Sequence, residues 1–442
     1  MGRDFPLLPY VLNLTYLAAA FCLAPFLCWQ AWVRKKPVRG LVAKWFGRAA
    51  GVSGRSEAPV VWFHGVSVGE IHLLRQVVAR FRECFPAWHC VVSTTTSTGY
   101  DEARKHFADL PVAFWPFDFT WAVKNALRTL RPQLVVLSEG ELWPNFVWAA
   151  RKQGVKLAII NGRMSPRSAR RFGSFRWLLA GVFGQLDWIG AQNDEYREQY
   201  ENLGATNVVT TGNIKYDGVS GERRNPKTQS LRTLLGIAPD ALVWVAGSTQ
   251  DPEEALAIDI FRRARVAHPN LRLILVPRHP ERFDEVTRLL ERWGLRFVRR
   301  SALPEQTAVP VDAIILVDTI GELSVIWGMA DLAFVGGSLD GKRGGQNMIE
   351  PSAYGAAVLF GPHTWNFKQT VADLLARNAA VEVSDGEALE AEVARLLDDA
   401  AERRRLGEAA RAFVVSQQGA TGRTLDELRK LMGGLDMRQV AA

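Results

Sequence analysis

Short runs of apolar and β-branched residues alternate with longer amphipathic stretches from residue 59 onward. In the first half of the chain the runs lie at 60–63, 90–93, 112–115, 134–137, 157–160 and 208–210. Stretches with helical periodicity, such as 70–83 and 143–152, lie between them. This alternation is typical of parallel α/β units and predicts a strand for each apolar run.

The same alternation stops and then restarts in the second half. The later runs lie at 242–246, 273–276, 313–316, 332–335 and 357–360. The polar stretch 218–230, which contains Gly and Pro, separates the two halves and predicts an interdomain linker. We therefore expect Rossmann-like domains at 37–217 and 231–420, followed by a charged helical tail at 421–442. A chain of 442 residues is long enough for two such cores.

The N-terminus has a different pattern. From Phe5 to Val33 nearly every residue is apolar, and the run ends at the basic residues Arg34, Lys35 and Lys36. A cleaved signal peptide, an interfacial helix and an uncleaved anchor are all compatible with the run. Because the basic cluster follows the apolar run instead of preceding it, we favour an anchor at 1–36. The positive-inside rule then predicts that the remaining chain lies at the cytoplasmic face of the inner membrane.

Charge and cysteine content limit which partners, metal sites and disulfides can be expected. The chain has 54 Lys and Arg against 46 Asp and Glu, a formal net charge of +8. Basic residues cluster after the anchor and between Arg163 and Arg176, which suits a solvated face or an anionic lipid partner. The four cysteines have no C-x-x-C spacing, so neither a zinc site nor a disulfide framework is predicted.

Ligands of doubly wound sheets bind at the carboxyl ends of the strands, so the loops there are the candidate sites. The loop 64–70 follows the first strand with two glycines and ends at Glu70 in a first helical turn. Glu70 suits a general base, although it equally suits the helix dipole. Glu139 and Glu141 follow the fourth predicted strand, and Lys215 closes the first domain. Helix capping and ordinary solvation are the simpler explanations of these three.

The second domain offers groups for a nucleotide. Arg278 follows a strand and can bind phosphate through two hydrogen bonds. The glycine-rich stretch 336–347 leads into a helix that contains Glu350, the order in which a phosphate site is built. Asn347 and Glu350 also match a capping box. No dinucleotide fingerprint and no D-x-D sequence occurs, so we predict a metal-independent reaction without a cofactor.

Taken together, these loops resemble the 3-deoxy-D-manno-octulosonic acid (Kdo) transferase family. The matching motifs are HGVSVGE at 64–70, EGELWPN at 139–145, GNIKYD at 212–217, PRHPERF at 277–283, NMIEP at 347–351 and FGPHT at 360–364. The resemblance implies two facing Rossmann-like domains, the GT-B glycosyltransferase architecture. It also implies CMP-Kdo as donor, a lipid A precursor (lipid IVA) as acceptor and inversion at the anomeric carbon, in lipopolysaccharide synthesis.

The resemblance assigns roles to individual residues. Glu70 is the implied general base, while Glu139 or Glu141 and Lys215 steady the substrate or the departing CMP. The residues implied to hold CMP are Pro277, Arg278, Ile320, Gly321, Glu322, Asn347, Met348, Ile349 and Glu350. Two positions depart from the family pattern: Gln346 stands where His is common, and Gly140 where Thr is usual.

Two other classes of protein compete with a transferase. A nucleotide-sugar epimerase has the same two-domain architecture but no evident use for an anchor. A membrane-bound sensor without catalysis leaves the glutamates at the strand ends without a purpose. The number of Kdo residues transferred, the acyl pattern of the acceptor and the oligomeric state do not follow from the sequence.

Overall fold

The fold was analysed in a computed structural model that describes residues 7–34, 39–49, 58–164, 176–303 and 309–433. Predictions that concern the first six residues, Lys35, Lys36, most of the Arg163–Arg176 cluster or the last nine residues lie outside these ranges. The chain forms two compact units, one of residues 1–218 with 418–442 and one of residues 219–417.

The first unit is built on a seven-stranded parallel sheet. Its strands are β1 (Val60–His64), β2 (His89–Thr94), β3 (Val112–Phe114), β4 (Leu134–Ser138), β5 (Lys156–Gly162), β6 (Trp188–Ala191) and β7 (Val208–Thr210). Their spatial order is β3-β2-β1-β4-β5-β6-β7. The order reverses direction between β1 and β4, which is the topological switch point where doubly wound sheets bind ligands.

Helices cover both faces of this sheet because its strands are apolar on both sides. The helices are α1 (Leu8–Arg34), α2 (Leu41–Phe46), α3 (Val68–Cys84), α4 (Ser97–His106), α5 (Thr120–Leu130), α6 (Pro144–Lys152), α7 (Arg176–Phe183) and α8 (Asp194–Asn202). Val61 and Phe63 belong to the core on the α3 side, whereas Trp62 belongs to the core beneath α5 and α6. Two cores therefore hold β1, and its carboxyl end is fixed in place.

The second unit repeats the plan. Its strands are β8 (Leu242–Thr249), β9 (Leu271–Pro277), β10 (Phe297–Arg299), β11 (Ile314–Leu316), β12 (Leu332–Val335), β13 (Ala357–Phe360) and β14 (Val381–Glu382). They form a parallel sheet in the order β10-β11-β9-β8-β12-β13-β14, with the switch point between β8 and β12. The helices are α9 (Pro226–Leu234), α10 (Glu253–Ala264), α11 (Phe283–Arg292), α12 (Leu323–Ile326), α13 (Ile349–Ala353), α14 (Lys368–Ala376), α15 (Gly386–Asp398) and α16 (Ala400–Gln417).

The prediction of two parallel α/β domains is confirmed, and its boundaries need two corrections. The linker predicted at 218–230 is too long, because α9 begins at Pro226 after Asn225 caps its first turn. The C-terminal tail is part of the first unit: helix α17 (Ala420–Gly433) packs against α3 there. Arg423 fixes it by donating from Nε to the carbonyl of Thr211 at 2.8 Å.

Helix α1 lies against α5 and α6 of the first unit. Buried Asn13 donates to Thr120 Oγ1 at 2.8 Å and accepts from Asn145 Nδ2 at 3.3 Å. Tyr10, Leu14 and Phe21 of the same helix are exposed. Among the described residues, no helix has both the length and the apolar character needed to cross a membrane. The predicted membrane anchor is therefore not confirmed.

Candidate active site

The loop between β1 and α3 holds Glu70 at the switch point of the first sheet. Ser67 caps α3 by accepting from the backbone N–H of Glu70, and its hydroxyl donates to Glu70 Oε1 at 3.0 Å. The other carboxylate oxygen, Oε2, accepts from the N–H of Val66 at 3.0 Å. The carboxylate is thus oriented by its own loop and remains half-buried.

The surroundings of Glu70 make it a proton acceptor suited to neutral pH. The pKa of Glu70 is raised to about 7, mainly by burial and also by the negative charges of Glu139 and Glu141. The hydrogen bonds from Val66 and Ser67 act in the opposite direction. A carboxyl whose pKa lies near 7 can take up and release a proton under physiological conditions, as general base catalysis requires.

Glu139 lies at the end of β4, in an unusual backbone conformation. Its φ is 56°, in the left-handed region that non-glycine residues rarely adopt. Lys215 Nζ contacts Glu139 Oε1 at 2.7 Å. Strain in a residue that also carries a charged pair is characteristic of a functional site. The structure thus pairs two of the predicted residues, and Glu139 is near enough to act electrostatically on Glu70.

Asn161, at the end of β5, is a residue of this site that the sequence analysis missed. It also has a left-handed φ, of 54°, and it is fully buried. Its Nδ2 donates to Glu139 Oε1 at 3.3 Å, and its Oδ1 accepts from the N–H of Ile214 at 2.9 Å. One side chain therefore holds both Glu139 and the segment that carries Lys215. The only signal in the sequence is an Asn followed by Gly at the end of an apolar run.

The structure shows different surroundings for Glu139 and Glu141, the two glutamates between which the sequence did not decide. Glu141 is exposed, and partial desolvation raises its pKa. Glu139 has the ion pair with Lys215, so the two glutamates differ in their partners.

Gly140 lies between the two glutamates. Its φ is 107°, and a Cβ there would lie 2.5 Å from the Tyr200 hydroxyl. Both the positive φ and this contact favour Gly at position 140.

His64, the last residue of β1, is buried and stacks on Trp115 with 4.0 Å between the ring centroids. Burial lowers the pKa of His64 to about 3, against a hydrogen bond with the Ser93 carbonyl that acts to raise it. The ring is therefore neutral at physiological pH. His64 supports the start of the Glu70 loop and is not a second acid or base.

In the second unit, Arg278 at the end of β9 acts electrostatically on Glu350 of α13. Burial raises the pKa of Glu350, while a hydrogen bond from Asn347 and the charge of Arg278 lower it. Asn347 Nδ2 donates to Glu350 Oε1 at 3.0 Å, and Asn347 Oδ1 accepts from the N–H of Ile349. The predicted capping box is wrong in detail, because the two residues pair through their side chains.

The predicted segment 319–322 follows β11. Ile320 is exposed, Gly321 has a φ of 92°, and Glu322 Oε1 accepts from Arg300 at 2.7 Å. Gly321 and Glu322 line a cavity of about 510 Å³ together with Pro226, Lys227, Ser230, Leu231, Leu234, Arg300 and Val325. Arg278 and Glu350 are not among its lining residues. The predicted nucleotide residues therefore form two groups within the second unit.

The start of the glycine-rich stretch after β12 binds a carboxylate of the protein itself. Glu253, the first residue of α10, is 1% exposed. Its carboxylate accepts from the N–H groups of Gly337 at 2.7 Å, Ser338 at 3.0 Å and Leu339 at 3.2 Å. It also accepts from the N–H of Gln250 at 3.0 Å. An internal carboxylate thus occupies three backbone donors at the start of the stretch, through a contact across 84 residues that no local pattern reveals.

Sequence comparison shows which family this chain belongs to. Residues 42–218 match the sequence model of a family described as 3-deoxy-D-manno-octulosonic-acid transferase (kdotransferase). The chain is 35% identical to a 3-deoxy-D-manno-octulosonic acid transferase of Haemophilus influenzae, over 84% of this chain and 86% of the relative. It is 34% identical to one of Bordetella pertussis, over 95% of this chain and 99% of the relative.

Solved structures with the same fold are more distant in sequence. A UDP-GlcNAc 2-epimerase from Neisseria meningitidis matches with a TM-score of 0.56 at 12% identity, over 84% of this chain and all of that one. A glycosyltransferase from Rickettsia africae matches with a TM-score of 0.54 at 12% identity, over 86% of this chain and all of that one. Transferases and epimerases share this fold, so the fold alone does not separate the two activities.

Proposed function

Because this chain belongs to the 3-deoxy-D-manno-octulosonic acid transferase family, we propose that it transfers Kdo from CMP-Kdo to the lipid A precursor lipid IVA in lipopolysaccharide synthesis. The observation that carries the proposal is the environment of Glu70. A half-buried carboxyl with a pKa of about 7 lies at the switch point of the first sheet, beside two further glutamates. That arrangement suits a base for a sugar hydroxyl.

In the proposed reaction, Glu70 accepts the proton of the acceptor hydroxyl as that oxygen forms a bond to the anomeric carbon of Kdo. The bond between this carbon and the phosphate oxygen breaks, and CMP leaves with the electron pair. Attack from the side opposite the leaving group inverts the anomeric configuration. A base whose pKa lies near the working pH is ionised in a substantial fraction of the molecules and is still basic enough to take the proton.

Lys215 is the proposed cation of the first-unit site. Its contact with Glu139 at 2.7 Å and the hydrogen bond from Asn161 to the same oxygen restrict where the ammonium group lies. Kdo carries a carboxylate and CMP a phosphate, so an oriented cation favours either anion. Glu141, which is exposed and has a raised pKa, contributes mainly its negative charge near Glu70.

Groups of the second unit hold CMP in this proposal. Because Glu253 already occupies the N–H groups of residues 337–339, the phosphate is assigned to the guanidinium of Arg278, beside Pro277. Glu350, oriented by Asn347 within the segment that includes Met348 and Ile349, is assigned to the ribose hydroxyls. The turn at 320–322, where Ile320 is exposed, suits contact with the cytosine ring of CMP. It consists of Ile320, Gly321 and Glu322.

We also propose that the protein works at the cytoplasmic face of the inner membrane. The support is the solvent-exposed apolar side of α1, where Tyr10, Leu14 and Phe21 are 61%, 68% and 83% exposed. A neighbouring face of the same helix is attached to the first unit through Asn13. A helix held in this way can insert its exposed side into the bilayer surface. A lipid acceptor would then reach the protein without leaving the membrane.

The direct test incubates purified protein with CMP-Kdo, with and without lipid IVA, and reads the products by mass spectrometry. We expect lipid IVA to gain one or more Kdo masses only when both substrates are present. A donor that changes configuration without any acceptor would support the epimerase alternative. CMP released without a lipid product would contradict the assignment of the acceptor.

A parallel incubation with a chelator tests the prediction that transfer needs no metal. No described group of the first-unit site requires a cation in the proposed proton transfer, so the rate should be unchanged. Loss of activity on chelation in protein that stays folded, with recovery on addition of a divalent cation, would contradict the metal-independent mechanism.

A further inference from the structure

A cluster of potential metal ligands lies on the first unit, outside the site described above. His72 belongs to the first turns of α3, and Glu102 and His106 are one turn apart on α4. His106 Nε2 lies 2.7 Å and His72 Nε2 lies 3.5 Å from the same oxygen, Glu102 Oε1. One ligand atom from each of the three side chains falls within 4.8 Å of the others.

These distances between ligand atoms are close to those found around a coordinated metal ion. Ligand atoms about 2.1 Å from a tetrahedral zinc ion are roughly 3.4 Å apart. The distance from His72 to Glu102 already has this value, and His106 needs only a small side-chain rotation because it approaches Glu102 more closely. Glu102 and His106 are partly buried and their helix is packed against α3, so two of the three ligands are held before an ion binds.

The donor set selects the class of metal. Two imidazoles and one carboxylate suit zinc and neighbouring divalent transition metals, whereas calcium and magnesium prefer oxygen ligands alone. His72 is exposed, so the fourth position is open to a water molecule. Arg75 and Lys105 lie near enough to act electrostatically on His72, and their positive charges limit the affinity for a cation.

We propose that His72, Glu102 and His106 bind one divalent transition-metal ion of the zinc class, which links α3 to α4. The site is independent of the proposed transfer, because no residue of the cluster belongs to the groups that handle the substrates. Its effect is structural: the ion joins two helices that both begin at the carboxyl edge of the first sheet. Binding to the folded chain alone stabilises it by mass action.

The test uses untagged full-length protein stripped of metal and titrated with Co²⁺ by visible absorption and with Zn²⁺ by calorimetry. We expect one ion per chain, with the absorption of a four- or five-coordinate Co²⁺ site, and a Zn²⁺-dependent rise in Tm. Loss of a residue that merely supports a ligand weakens binding by about 10- to 100-fold. His72→Ala, Glu102→Gln and His106→Ala each remove a ligand, so each should weaken binding by more than that.

His89→Ala is the matched control, since His89 is an exposed histidine of the same unit outside the cluster. It should bind both ions as the wild type does. The proposal would be overturned if the wild type showed no saturable binding. It would also be overturned if the three cluster variants bound the ions as tightly as the wild type. Each variant is compared with its own metal-free Tm, so that a folding defect is distinguished from the loss of a ligand.

Discussion

Glu70 and Glu253 occupy equivalent places in the two units and have opposite surroundings. Each lies in the first turn of the helix that follows the first strand of its sheet, next to the switch point. Glu70 accepts two hydrogen bonds, both from its own loop, and two further glutamates lie near it. Glu253 accepts four backbone N–H groups, three of them from the loop after β12.

The difference shows that burial alone does not identify a reactive carboxyl. Burial raises the pKa of both side chains, yet at Glu253 four backbone N–H groups oppose that rise, and a protonated carboxyl could not accept from all of them. A carboxylate with every acceptor position occupied anchors a loop, whereas one with free acceptor capacity can take a proton from a substrate. The number and origin of the hydrogen bonds separate the two roles.

The largest effect is expected from Glu70→Gln. The amide keeps the size of the side chain but cannot accept a proton as a carboxylate does, so transfer should fall by about 10²- to 10⁴-fold. CMP binding, measured by calorimetry, should stay at the wild-type level because the assigned CMP residues lie in the second unit. A variant that transfers Kdo at nearly the wild-type rate would rule out Glu70 as the base.

Glu253→Ala should act on stability instead. It leaves four backbone N–H groups without their acceptor, and each buried unsatisfied group costs about 1–3 kcal/mol. Allowing for some rehydration, we expect the free energy of unfolding to fall by at least about 3 kcal/mol, as measured by urea denaturation.

Glu387→Ala is the matched control for that measurement. Glu387 also lies in the first turn of a helix, α15, but it is exposed. Its removal should change the free energy of unfolding by no more than about 0.5 kcal/mol. Equal losses in the two variants would mean that Glu253 contributes only through the helix dipole, and the comparison with Glu70 would fail.

The next effect concerns the backbone beside Glu139. Gly140→Ala forces a side chain into a φ of 107° and against the Tyr200 hydroxyl, so we expect a loss of about 1–3 kcal/mol in unfolding free energy. Adding Tyr200→Phe removes the contacting hydroxyl and should recover part of that loss. Thermal and urea denaturation of the single and double variants measure both contributions. A neutral Gly140→Ala would show that this turn adapts freely.

The sequence predicts the sheets better than the contacts between loops. Strands rich in β-branched residues, such as β1 and β8, are predicted because their apolar runs are long. The apolar runs do not predict β6, β10 and β14, although they predict β3, β7 and β11, which are equally short; β6, β10 and β14 are defined by pairing with a neighbour. Local pattern carries little information about such pairing.

The residues of the candidate site likewise fall into those that the sequence predicts and those that it does not. Glu70, Glu139 and Lys215 follow apolar runs, so their location at the sheet edge could be predicted from the order of strands. Asn161 and Glu253 act through tertiary hydrogen bonds to segments 53 and 84 or more residues away. Glu253 binds the N–H groups of residues 337–339 in the glycine-rich stretch, and the phosphate site predicted for that stretch and the helix after it stays a prediction.

The smallest effect is a shift in the pH dependence of transfer. Only ionised Glu70 can act as a base, so kcat/KM should rise with pH through about 7 and then level off. The charge of Glu141 raises the pKa of Glu70, and Glu141→Gln should therefore move this rise to lower pH by a fraction of a unit. The folded pKa of Glu70 lies above its ordinary value of 4.5, so its ionisation should also cost stability as pH rises from about 4.5 to 7. A rise in kcat/KM that stays in place in Glu141→Gln, or that moves to higher pH, would show that the neighbouring charges do not tune the base.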